Sequence, residues 1–120
     1  MRSFVLVIVL CFSSIASAQE SSPATRSALA HQLYDASMAG LSVGGSRPSD
    51  VYEWSERWMR ADLEAHVANA AQLHFDRMNT LLAFVHGRVV AGTARTSEET
   101  ECQYYVAEAR AWMAHPPITP

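Results

Sequence analysis

The longest uninterrupted segment of the chain runs from Val51 to Ala91 and constrains the fold more than any other feature. Its 41 residues contain no Pro and only one Gly, Gly87. Because Pro and Gly are the residues that most disfavour a helix interior, the segment predicts one long central helix of about 60 Å. Gly92 follows directly and is suited to the left-handed conformation that ends a helix.

Apolar side chains recur along this segment at steps of 4, 4, 3, 4, 4, 3, 4 and 4 residues. This stripe consists of Met59, Leu63, Val67, Ala70, His74, Met78, Leu81, Val85 and Val89. The steps form an eleven-residue repeat, which stays on one face of a nearly straight helix. We expect the stripe to be an interaction surface that is buried between chains, as in a coiled coil.

The opposite face of the long helix is charged and predicts a solvated surface. Its members are Arg57, Arg60, Glu64, Arg77 and Arg88. Trp54 and Trp58 lie one turn apart, and we expect them to anchor the long helix against the helix that precedes it.

A shorter helix is expected on the N-terminal side of the long one. Residues 24–39 carry apolar side chains at helical spacing, whereas residues 40–50 hold three Gly and a Pro and predict a loop. Asp50 and Glu53 have the spacing of a capping box, so the long helix is expected to begin at about residue 51.

A third helix is expected over residues 97–114. Thr96 or Ser97 can cap its start, and Pro116 stops it. Cys102 lies on the apolar stripe of this helix, which predicts a buried thiol.

Together these elements predict an all-α fold in which residues 24–115 form a single helical domain and residues 116–120 form a tail. The arrangement is a helical hairpin or a three-helix structure around the long central helix. Each half would be only two helices thick, which favours self-association. In the alternative, the long helix breaks near Asn69 and the chain closes a compact bundle around its own core.

The N-terminal segment has the pattern of a secretory signal peptide, expected over residues 1–18. Arg2 supplies a positive charge, residues 4–12 are an unbroken apolar run, and residues 16–18 read Ala-Ser-Ala. Residues 19–23 would form a flexible leader. We therefore expect a periplasmic or secreted protein that has no membrane span once the signal is cleaved.

Residues 88–94 read RVVAGTA and residues 104–109 read YYVAEA. This region resembles the periplasmic helical hairpins of TolC-type outer-membrane efflux proteins. The resemblance covers about 30 residues and implies a hairpin geometry at this point. The chain is too short for that family's barrel and tunnel, so the resemblance implies no transport activity and no functional residues.

Few residues suggest a metal or a haem. Asp62 and His66 are one helical turn apart and could share a cation, although such a pair is more often a surface hydrogen bond. His74 with Met78 could ligate haem iron, but a buried, hydrogen-bonded histidine is the simpler reading of His74. We therefore expect no metal site and no cofactor.

The composition excludes several classes of function. All nine basic residues are Arg and the net charge is −3, which argues against nucleic-acid binding. The absence of Lys excludes Schiff-base chemistry, and no nucleophile motif is present, so no catalytic residues are expected. The sequence predicts a non-catalytic exported helical protein that associates with itself or with an envelope protein. The alternative is a helical bundle that binds a small ligand, a metal or haem.

Overall fold

Four helices make up the part of the chain that the structure, a computed structural model, describes, which is residues 22–117. They are α1 (Pro23–Leu41), α2 (Pro48–Glu64), α3 (Ala70–Val90) and α4 (Thr96–Ala114). No strand occurs in these residues, so the all-α fold class is confirmed. The predicted signal peptide over residues 1–18 lies outside the described residues.

The prediction of one continuous helix over residues 51–91 is wrong, because the chain turns between α2 and α3. His66 adopts a left-handed backbone conformation with φ of 60°. Its N–H donates to the Leu63 carbonyl at 3.1 Å, and the Val67 N–H donates to the Asp62 carbonyl at 2.9 Å. These two bonds are a Schellman motif, which satisfies the last carbonyls of α2 and ends it.

The break falls next to Asn69, where the compact alternative placed it, and it gives four helices in place of three. Asn69 itself precedes the first residue of α3. Gly92 ends α3 by the same motif, with φ of 77° and its N–H donating to the Val89 carbonyl at 3.0 Å. The stop predicted at Gly92 is confirmed.

Three helix starts differ from the predicted ones. α1 begins at Pro23 and is capped by Ser22, so these two residues, which were predicted to belong to the flexible leader, form the start of the helix. α2 begins at Pro48, and Asp50 accepts a hydrogen bond from the Arg47 N–H at 2.8 Å. α4 begins at Thr96, one residue before the predicted start.

Each helix packs against the next one in the chain, and α2 also touches α4. The buried core draws on all four helices. Its members are Tyr34, Leu41, Val51, Met78, Leu81, Val85, Cys102, Tyr105, Val106 and Ala109. The stacked rings of Tyr52 and Tyr105, 4.1 Å apart, join α2 to α4.

The stripe predicted as an interaction surface lies largely inside this chain. Six of its members are buried, namely Met59, Ala70, His74, Met78, Leu81 and Val85. Leu63, Val67 and Val89 are half-buried. The break after α2 allows α3 to fold back, so the chain covers its own apolar face and the stripe is not open to a second chain.

The two segments that carry the TolC-like pattern lie on α3, its terminal turn and α4. These helices pack against each other along the chain. None of the helices among residues 22–117 is both long enough and apolar enough to cross a membrane.

Candidate functional site

An open groove of about 430 Å³ lies between α1 and α2. Its surface is mainly apolar. The apolar lining consists of Leu29, Ala30 and Leu33 from α1 with Trp54 and Ala61 from α2. Leu29 and Leu33 are 48% and 42% exposed, which is unusual for large apolar side chains flanked by a second helix. An apolar recess of this size falls within the range of about 300–1,000 Å³ that is typical of small-molecule sites.

Arginines edge the groove. Arg26, Arg57 and Arg60 line it together with one acidic residue, Glu64. Arg26 forms an ion pair with Glu64 at 2.5 Å, which joins the start of α1 to the end of α2. The side chain of Arg57 lies over the ring of Trp54, 4.6 Å from its centroid.

Glutamates one turn earlier on α2 hold the other two arginines. Arg57 donates to Glu53 at 2.5 Å, and Arg60 donates to Glu56 at 3.0 and 2.8 Å. These are the i,i+4 pairs that the sequence pattern indicates. They fix the arginines along the helix surface beside the groove.

One of the two tryptophans of α2, Trp58, anchors the helix against α1 as predicted. The ring of Trp58 stacks on His31 at a centroid distance of 4.0 Å and lies 5.7 Å from Tyr34. Trp54, one turn earlier, contributes instead to the groove. The first of the two rings is thus available to a ligand, whereas the second is committed to packing.

A buried polar cluster joins α2 to α3. Its members are Ser55, His74 and Arg77, which are 0%, 0% and 9% exposed. Arg77 donates through Nε to Ser55 Oγ at 2.7 Å and through a terminal nitrogen to the Ser55 carbonyl at 3.0 Å. Its guanidinium also lies 4.0 Å from the centroid of the Trp58 ring. The assignment of Arg77 to the solvated face is wrong, because the break in the long helix turns this residue inward.

Arg77 can only donate, so Ser55 Oγ accepts from its Nε. The same oxygen is hydrogen-bonded to His74 Nδ1 at 2.8 Å. The other imidazole nitrogen of His74, Nε2, is buried. Within residues 22–117 this buried Nε2 has no hydrogen-bond partner, and the ring of Trp112 lies 5.5 Å from the imidazole.

Burial, followed by the nearby positive charges of Arg77 and Arg60, lowers the pKa of His74 to about 4. Burial also lowers the pKa of Arg77 to about 10, opposed by Tyr34 and Asp62. His74 is therefore neutral and Arg77 is charged at neutral pH. The cluster holds one buried positive charge, stabilised by hydrogen bonds and by aromatic faces.

Ser55 and His74 have the distance of a nucleophile and its base, yet neither side chain is exposed. The hydroxyl also accepts from Arg77, which stabilises its position in the core. A substrate would need both groups to be reachable. The cluster therefore supports a structural role.

The fold separates one of the two residue pairs considered for a metal or haem and buries the other. Asp62 is buried and accepts from the Ser27 hydroxyl at 2.6 Å, whereas His66 is exposed in the turn beyond α2. The helical spacing that would bring them together ends before His66. His74 and Met78 are both fully buried, and His74 is bonded to Ser55. Residues 22–117 contain no group of three or more His, Cys, Asp or Glu side chains that could hold a metal ion.

The thiol of Cys102 is buried on α4, as predicted. Burial, together with the negative charges of Glu101, Glu98 and Glu99, raises its pKa to about 12. A protonated, buried thiol is poorly reactive. Cys102 therefore acts as a small core residue in this fold.

Comparison with known proteins adds no relative. No family model, no curated protein and no solved structure matches the chain. The TolC-like hairpin therefore stays a prediction, and the function must be argued from the site itself.

Sequence reasoning did not identify the groove. Leu33 is one of the apolar side chains at helical spacing in residues 24–39, but its outward position depends on the angle at which α1 meets α2, which periodicity does not give. Arg57 was correctly placed on an exposed face, whereas Arg60 is half-buried and its guanidinium lies 5.8 Å from the centroid of the Trp112 ring. Nothing in the spacing of the two arginines indicates that an apolar recess lies beside them.

Proposed function

We propose that the protein is a non-catalytic, exported binding protein that holds a small apolar ligand in the groove between α1 and α2. The observation that carries this proposal is the exposure of Leu29 and Leu33 beside Trp54 in a recess of about 430 Å³. Apolar side chains that a folded chain leaves in a concave, solvent-filled position gain stability when a ligand covers them.

The burial of the stripe supports a ligand over a partner chain. An interface through the stripe would require α2 and α3 to separate, which would expose Met59, Met78 and Leu81 to water. The groove needs no such change. Export is supported by the signal-peptide pattern of residues 1–18, and cleavage after Ala18 places the protein in the periplasm or outside the cell.

The proposal is tested by titration with the neutral, apolar probe N-phenyl-1-naphthylamine. We use the protein in the form that accumulates when a cell expresses the full 120-residue chain. On binding, the fluorescence of the probe should increase and the fluorescence of Trp54 should decrease. Leu33→Glu places a charge in the groove and should weaken binding about tenfold or more.

Val43→Glu is the matched control, because Val43 is 82% exposed in the loop after α1 and does not line the groove. It should bind the probe as the unaltered protein does. Equal binding by both variants would contradict the proposal. So would a stable dimer by light scattering that Leu33→Glu dissociates, because the groove would then be an interface between copies.

A further inference from the structure

Resting on the proposed function, we infer that the groove selects a single-chain amphiphile with an anionic head group, bound as a dispersed molecule. The apolar lining would take the hydrocarbon chain and the arginines at its edge would take the head. The two parts of the site are adjacent on α2, where Arg57 and Arg60 lie between Trp54 and Ala61 in the chain and all four residues line the groove.

The charges that line the groove favour an anion. Three arginines and one glutamate line it, which is a local excess of positive charge in a chain whose net charge is −3. Glu53 and Glu56 balance Arg57 and Arg60 from the preceding turn, but neither lines the groove. An incoming carboxylate therefore meets the guanidinium groups of Arg57 and Arg60 and not the glutamates paired with them, whereas Glu64, the partner of Arg26, lines the groove as well.

Donor capacity remains on both arginines. A guanidinium carries five N–H donors. Among the hydrogen bonds within residues 22–117, Arg57 uses one terminal nitrogen, and Arg60 uses Nε and one terminal nitrogen on a single oxygen of Glu56. Each side chain is held in place by its glutamate and can still donate to a ligand carboxylate, which is the geometry for charge-assisted bonds.

The exposure of the two arginines determines how strongly we expect the groove to prefer an anionic compound. The side chains of Arg57 and Arg60 are 55% and 34% exposed, so water screens part of the attraction. We expect the anionic compound to bind about tenfold more tightly than a neutral one with the same tail. A cationic compound should bind more weakly than the neutral one.

The experiment compares three compounds that share a dodecyl chain: dodecanoate, a dodecyl oligoethylene glycol ether and dodecyltrimethylammonium. Each displaces the neutral probe from the protein at low salt and below its micelle concentration. Arg57→Gln and Arg60→Gln should each lower the ratio of the affinity for dodecanoate to the affinity for the neutral ether. Arg110→Gln is the control, because Arg110 lies over Phe75 on the α3–α4 side and does not line the groove.

Each outcome decides a different point. If the three compounds bind equally, the groove binds apolar chains and the inference about the head group is wrong, while the proposed function stands. If none displaces the probe, the proposed function fails with it. If vesicles containing anionic phospholipid bind the protein and dispersed dodecanoate does not, the arginines recognise a lipid surface and the inference is overturned.

Discussion

At the scale of single residues, the cluster of Ser55, His74 and Arg77 makes the fold sensitive to acid. Protonation of His74 would place a charge on an imidazole that is fully buried. It would also bring a second positive charge beside the buried guanidinium. Both effects oppose the charged imidazole, which is the physical reason that its pKa falls to about 4.

We predict that stability falls as the pH drops from about 6.5, the ordinary pKa of an unfolded histidine, towards the folded value of about 4. In this range the unfolded chain binds more protons than the folded one. The loss should reach about 2 kcal/mol by about pH 4.5. The measurement is urea unfolding at neutral pH and at about pH 4.5, with His74→Gln as the variant that loses this dependence.

His86 supplies the control for this prediction, since its imidazole is exposed and paired with Glu99 at 2.5 Å. His86→Gln should keep the acid dependence of the unaltered protein. If His74→Gln proves too unstable to study, the His74 imidazole signals in the NMR spectrum of the unaltered protein should not titrate between about pH 7 and 5. A midpoint near the ordinary value would show that His74 is not held neutral by burial.

Arg77 should be intolerant even of Lys. Its planar group makes two hydrogen bonds to Ser55 and stacks on Trp58, and an ammonium cannot do both. Arg77→Lys should lower the free energy of unfolding by about 3 kcal/mol. Arg57→Lys, an exposed arginine that also lies over a tryptophan, should change it by about 0.5 kcal/mol or less. Equal losses in urea unfolding would contradict a special role for Arg77.

At the scale of elements, the chain uses one stop motif twice with different residues. Gly92 adopts its left-handed conformation without cost, whereas His66 adopts a similar one with a β-carbon in the way. His66→Gly should therefore raise the free energy of unfolding by about 1 kcal/mol, and Gly92→Ala should lower it by about 1 kcal/mol. Thermal unfolding followed by circular dichroism measures both.

The opposite sign for His66→Gly would mean that the exposed imidazole contributes a contact worth more than the strain. His66→Ala separates the two explanations, because alanine lacks the imidazole and keeps the β-carbon. If strain dominates, His66→Ala should stay close to the unaltered protein and only the glycine variant should gain stability.

These two stops show what the sequence could and could not reveal about the elements. A glycine that follows a long apolar pattern indicates where the helix ends, and Gly92 was identified in this way. Histidine visits the left-handed region only occasionally, so His66 gave no comparable signal. The all-α class and the outer helix ends could be predicted from the periodicity of the apolar residues and from the positions of Pro. The turn between α2 and α3 depends on the free energy gained when α3 folds back. That free energy comes from tertiary contacts.

The same dependence on tertiary contacts limited the prediction of the site. Arg77 follows the charged periodicity of residues 51–91, and on a continuous helix it would face water. Once the helix breaks, α3 rotates relative to α2 and the guanidinium meets Trp58 and Ser55. The local pairs of Arg57 and Arg60, by contrast, were readable, because i,i+4 spacing within one helix survives the break.

At the scale of the whole molecule, the position of the apolar stripe determines what holds the protein together. A stripe buried between chains would make stability depend on protein concentration. The stripe is instead enclosed by the helices of its own chain, with Met78 and Leu81 fully buried and Val85 2% exposed. Stability should therefore be independent of concentration, and within residues 22–117 the groove is an apolar surface that stays open to a ligand.

Leu81→Asp tests this arrangement in one step. A charge at a fully buried position of α3 has no partner to stabilise it, so we predict loss of helical circular dichroism at every protein concentration. Ala83→Asp, at an exposed position on the same helix, should retain most of the helix signal. Light scattering of the unaltered protein should give the mass of one chain. If the unaltered protein were a larger assembly and Leu81→Asp were a folded, helical monomer, the stripe would join chains. The groove would then no longer be supported as the binding surface.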